Sequence, residues 1–115
     1  MAIYLLMRTL KKADDINITE AKLRGRFEAW SKLLKVSIGL QPLITNEAVR
    51  SITVLAVSMK GDSDMTALKT KAKQAGFLLG EGYGDLKKSS FRVANFPALR
   101  RKEIQKLMRF LIRNF

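Results

Sequence analysis

At 115 residues the chain has room for one domain around one core, and 47% apolar against 28% charged residues is the composition of a folded globular protein. It contains neither Cys nor His, which excludes disulfides, thiolate nucleophiles and Cys-ligated metals, and removes the usual general base and the commonest zinc ligand. Twenty-two Lys and Arg against ten Asp and Glu leave a net charge of +12, a field that attracts polyanions and opposes self-association.

From Ala2 to about Lys12, Ile3, Leu6, Met7 and Leu10 recur at helical spacing with Arg8, Lys11 and Lys12 turned elsewhere, which predicts a short amphipathic helix. The longest apolar run, Met1 to Met7, is too short to span a bilayer and no basic segment precedes it. The expected setting is therefore cytoplasmic, with no membrane segment. Asn17 followed three residues later by Glu20 reads as a helix cap, and Leu23, Phe27, Trp30 and Leu34 then continue a second helix to about Val36.

Gly39 and Pro42 open a connecting stretch. Ser51 to Met59 (SITVLAVSM) is β-branched and apolar on both faces, the pattern of a central strand. Gly61, Asp62 and Ser63 supply a turn and an N-cap for a helix whose stripe is Met65, Leu68, Ala72 and Ala75, closed by Gly76. Phe77 to Leu79 reads as a short strand, GEGYGDLKKS as a polar connection, and Ser90 to Phe96 as a further strand ended by Pro97, with the two strands able to pair as a hairpin. In the last segment Ile104, Leu107, Met108 and Leu111 form an apolar face, while Lys102, Lys106, Arg109 and Arg113 form a basic one. Two helices followed by βαββα make a single α+β domain over residues 1–115, a two-layer sandwich of a small antiparallel or mixed sheet packed by helices.

Gly80, Gly82 and Gly84 admit a phosphate-loop reading, but Asp85 stands where a dinucleotide fingerprint needs glycine and a strand follows where it needs a helix, so a hairpin connection is the better reading. Arg92 lies mid-strand with Ala94 and Phe96 on the face opposite Phe91 and Val93. It is either a structural or exposed arginine or a fork for a carboxylate or phosphate. The paired carboxylates Asp14 with Asp15 and Asp62 with Asp64 fall at turn or cap positions and carry no chemistry. The basic stripe of the last helix and Lys69, Lys71 and Lys73 are the features that nucleic-acid binding would use, though Phe91 and Phe96 lie on opposite faces and make no stacking platform.

Taken together, AIYLL at Ala2 to Leu6, NEAVRSITV at Asn46 to Val54, GYG at Gly82 to Gly84 and FRVANFPA at Phe91 to Ala98 resemble the C-terminal small domain of class V pyridoxal-phosphate-dependent aminotransferases, most closely the phosphoserine aminotransferases. The resemblance covers nearly the whole chain and corresponds to the last third of such enzymes. It implies that the large domain, with the cofactor lysine and the Asp paired to the pyridinium nitrogen, is not part of this sequence; pyridoxal phosphate belongs to the full-length family and is not expected to bind this chain alone. It implies that Arg92 clamps the substrate carboxylate of an amino acid of the phosphoserine type. Where many of these enzymes hold the substrate phosphate with a His-Arg pair, this sequence has Asp85 and Leu86, leaving Lys87 or Lys88 as substitute point charges.

The resulting expectation is a substrate-side small domain of a transaminase, inactive by itself, with a separate large domain or a second copy as its partner. Ile3, Leu5 and Leu6 would normally rest on the absent domain, and should lie exposed or drive self-association. The alternative is a stand-alone basic module that binds nucleic acid or senses amino acids, discriminated by its dependence on Lys106, Arg109 and Arg113 or on Arg92.

Overall fold

A computed structural model describes residues 1–61 and 64–115. The elements run α1 (Ala2–Lys12), α2 (Ile16–Val36), β1 (Leu40–Pro42), β2 (Val54–Met59), α3 (Thr66–Gln74), β3 (Gly80–Glu81), β4 (Ser90–Ala94) and α4 (Arg101–Asn114), with short 3-10 turns at Glu47–Val49 and Gly84–Lys87. The α+β architecture with two leading helices is as the sequence predicts, and the sheet is antiparallel throughout, in the order β1-β2-β4-β3.

Local chemistry moves several boundaries. The cap of α2 is Asp15, whose carboxylate accepts from the Asn17 amide at 2.8 Å, rather than Asn17 itself. The connection after Gly39 contains a strand the hydrophobic pattern does not show, β1. Its Pro42 lies opposite Val57 and is tolerated because β1 forms the sheet edge. Strand β2 starts at Val54 rather than Ser51 because the Ser51 hydroxyl accepts from the Thr53 and Val54 amides at 3.2 and 3.3 Å, bending the chain first.

The expected caps Asp62 and Ser63 lie outside the described residues; the Asp64 carboxylate accepts from the Thr66 amide at 2.7 Å, and the Thr66 hydroxyl bond to it holds its pKa below the ordinary value. The third helix ends as expected at Gly76, with φ of +87°. Its closing bonds, Gly76 N–H to Lys73 O at 3.0 Å and Phe77 N–H to Ala72 O at 2.8 Å, form a Schellman motif. Phe77 is thereby committed to ending the helix, and the predicted strand at Phe77–Leu79 appears instead at Gly80–Glu81.

Register places Leu55 opposite Val93 and Val57 opposite Phe91, so these four share one face of the sheet and are buried with Leu40. Helices α2, α3 and α4 complete this core with Trp30, Leu34, Met65, Leu68, Ile104 and Leu111. The opposite face carries Ala56, Ser58, Ser90, Arg92 and Ala94, small or polar residues in register. Asn95 is fully buried beyond the strand end, its amide donating to Leu23 O at 3.1 Å and Ile52 O at 2.7 Å, which ties β4 to α2. Helix α1 contributes no buried residue.

Candidate carboxylate-binding site

Arg92 sits in the middle of β4, opposite Ala56 on one side and Gly80 on the other. The pleat sends its side chain away from the Phe91–Val93 face, as the alternation predicts. The absence of a side chain at Gly80 matters here: a Cβ would come within 3.2 Å of the Arg92 Cβ and carbonyl oxygen.

Two contacts then fix the guanidinium. Its Nε donates to Glu81 O at 2.7 Å and one terminal nitrogen donates to the Tyr83 hydroxyl at 2.7 Å, while Cζ stands 4.2 Å from the Tyr83 ring centroid. A guanidinium has five N–H groups, so three stay free for a ligand. Both protein acceptors are neutral. Among the described residues no carboxylate forms an ion pair with Arg92, so none of them neutralises its positive charge.

Tyr83 is held by the hairpin that the glycines make. A Cβ at Gly82 would collide with the Ser90 hydroxyl and the Leu86 carbonyl, and Gly84 has φ of +52°. The Ser90 hydroxyl donates to Leu86 O at 2.7 Å, closing the turn. Close approach of chain to chain thus accounts for Gly82, in keeping with the hairpin reading of the glycine run.

Lys87 and Lys88 follow this turn and are exposed. The Lys87 carbonyl accepts from Lys69 Nζ and the Lys88 carbonyl accepts from the Met65 amide at 2.9 Å, which anchors this stretch at the start of α3. Beside Arg92 a groove of about 740 Å³ opens between β4, the 76–80 segment and α4; its lining includes Trp30, Arg92, Phe96 and Lys106, and neither Lys87 nor Lys88.

The carboxylates behave as caps and surface pairs. Asp14 lies 2.6 Å from Lys22 Nζ, Asp15 and Asp64 accept from helix amides, and among the described residues no three acidic side chains gather into a metal-binding group. No described lysine is buried. All are exposed except half-buried Lys69, whose Nζ lies 3.0 Å from Glu81. A lysine that forms an imine with a cofactor stands in an enclosed, desolvated site, which none of these lysines does, so the residues present do not fit pyridoxal phosphate.

The sequence marks Arg92 but not the residues that orient it. Tyr83 is visible there only as part of a glycine-rich connection, and its proximity depends on a hairpin register that pairs Gly80 with Arg92. The groove escapes notice for the same reason, since it joins residues distant in the chain.

No family model matches the chain, and no curated protein matches it in sequence. Solved structures do match it. A phosphoserine aminotransferase from Cytophaga hutchinsonii superposes with a TM-score of 0.74 at 19% identity, over 83% of this chain and 26% of that one. An alanine–glyoxylate aminotransferase from Nostoc sp. gives 0.68 at 20% identity over 81% of this chain and 25% of that one. A NifS-like protein from Rickettsia africae gives 0.72 at 17% identity over 89% and 31%. The chain thus spans between 25% and 31% of these proteins, and identities this low speak to fold alone. The fold is that of a small domain of class V aminotransferases, the domain its sequence resembles.

Proposed function

We propose that the chain is the substrate-side small domain of a pyridoxal-phosphate-dependent transaminase, inactive alone, in which Arg92 binds the α-carboxylate of an amino acid. The observation that carries this reading is the fixed guanidinium, which has no carboxylate partner among the described residues. Glu81 O and Tyr83 set its orientation without cancelling its charge, so a carboxylate is met by donors already aimed. The cofactor supplies the electron sink, and it belongs to a large domain outside this sequence. Within this chain the residues orient and neutralise the substrate carboxylate and perform no bond-breaking step.

The partner is then that large domain or a second copy, docking through α1, whose apolar side chains are uncovered. The test joins two titrations. Added pyridoxal phosphate is expected to give no stoichiometric lysine-bound absorbance band and no amino transfer, while amino-acid binding is lost in Arg92→Gln. A stoichiometric band abolished by replacing one lysine overturns the proposal of incompleteness, and unaltered amino-acid binding by Arg92→Gln overturns the clamp.

A second reading, a basic module for nucleic acid, has one observation in its favour. Lys102, Lys106, Arg109 and Arg113 on α4 are exposed, and among the described residues none forms an ion pair.

A further inference from the structure

We infer that the groove beside Arg92 accepts a carboxylate bearing an apolar tail and discriminates against a phosphorylated one. The inference rests on the carboxylate role proposed for Arg92 and names the substrate class for that site. Strand β3 pairs with β4 through Gly80 and Glu81, opposite Arg92 and Phe91, so among the described residues the β4 edge has no strand partner beyond Arg92. The groove opens along that edge. Its volume of about 740 Å³ lies within the range of small-ligand sites.

The lining is mostly apolar. Ala94, which follows Arg92 on the same sheet face, stands there with Phe77, Leu79, Phe96 and Leu107. Three charged residues join them: Arg92, Lys106 and Glu103. The Glu103 carboxylate accepts from the Arg100 amide at 3.0 Å and is occupied as the cap of α4, so the groove keeps a positive balance for one monoanion.

Trp30 holds an unpartnered donor. It lines the groove, is fully buried, and its Nε1 has no hydrogen-bond partner among the described residues. A buried N–H without an acceptor is costly, and a ligand oxygen would relieve it. A phosphate ester is poorly served, because Lys87 and Lys88 are absent from the lining and Lys106 alone would face a dianion among apolar side chains.

The test is an NMR titration of the isotope-labelled chain with unbranched carboxylates from acetate to octanoate, alongside phosphoserine and inorganic phosphate. Burial of the tail predicts that each added methylene tightens binding about fourfold until the groove is filled. The dependence on length should flatten in Phe96→Ser, where the side chain is 48% exposed, and in Leu78→Ser, 88% exposed, neither of which belongs to the core. Arg92→Gln should abolish binding. Phosphoserine binding tighter than octanoate, or an affinity independent of tail length, overturns the apolar-tail assignment while leaving the clamp in place. Undiminished octanoate binding by Arg92→Gln overturns the clamp itself.

Discussion

Arg92 is oriented by a neighbour that contributes little to the fold, and this separation makes its role testable. Tyr83 is 73% exposed, so removing it should cost little stability. Its stacking on the Arg92 guanidinium is worth about 0.5–1 kcal/mol at an exposed site, which as lost orientation means a two- to fivefold weaker carboxylate affinity in Tyr83→Ala. Tyr83→Phe keeps the ring and loses only the hydroxyl acceptor, so calorimetry should place it between the wild type and the alanine variant. Asn95 should behave in the opposite way. Its amide is the buried partner of Ile52 O, and Asn95→Ala leaves that carbonyl unpaired at a cost of about 1–3 kcal/mol, measurable by urea unfolding. Within FRVAN the arginine should therefore answer to ligand titrations and the asparagine to stability measurements.

At the scale of elements, what the sequence reveals depends on whether a segment is specified by its own periodicity or by its neighbours. The helices carry their own pattern, and α1 and the end of α2 fall where the apolar spacing puts them, at Ala2–Lys12 and Val36. Strands β1 and β3, of three and two residues, have no room for a period. Leu40–Pro42 is a strand only because β2 lies beside it, and Gly80–Glu81 only because the Schellman bonds delay the chain to that point. The candidate site divides in the same way. Arg92 was legible from strand alternation and a local resemblance, whereas Tyr83 and the groove arise from pairing across the hairpin.

Helix α4 is legible on both faces, with Ile104 and Leu111 buried and the basic stripe exposed. Lys102, Lys106, Arg109 and Arg113 fall within about 60° of one another around the axis and span about 16 Å along it, a line of charge suited to a phosphate backbone. If that line binds nucleic acid, a gel shift with single-stranded RNA should fade steeply as salt is raised, and Lys106→Gln with Arg109→Gln should weaken it and lower the salt slope by about two. A shift that is insensitive to both changes assigns the charge to a solvated face.

For the whole molecule, the radius of gyration of 15.7 Å exceeds the roughly 13 Å expected of a compact chain of this length, and the long axis reaches 47 Å against 29 and 28 Å. Helix α1 accounts for this as an arm with no buried side chain. Ile3, Leu6 and Leu10 are 85%, 58% and 64% exposed, and the arm bears Arg8, Lys11 and Lys12 without an acidic residue. Two opposed forces act on this arm. Its apolar face favours self-association, while the net charge of +12 on each copy resists it. Salt screens the repulsion and leaves the hydrophobic gain, so sedimentation should show association rising between low and high ionic strength, the opposite of the trend expected for RNA binding by α4. Ser at Ile3, Leu6 and Leu10 together should keep the chain monomeric at all salt concentrations while changing unfolding stability by no more than about 0.5 kcal/mol per site, because none of the three belongs to the core. A wild-type chain that stays monomeric in high salt removes the second copy as occupant of this face and leaves the proposed large domain as the remaining candidate. Cooperative unfolding of the triple variant at a much lower urea concentration contradicts both, since it means that the arm packs on its own domain.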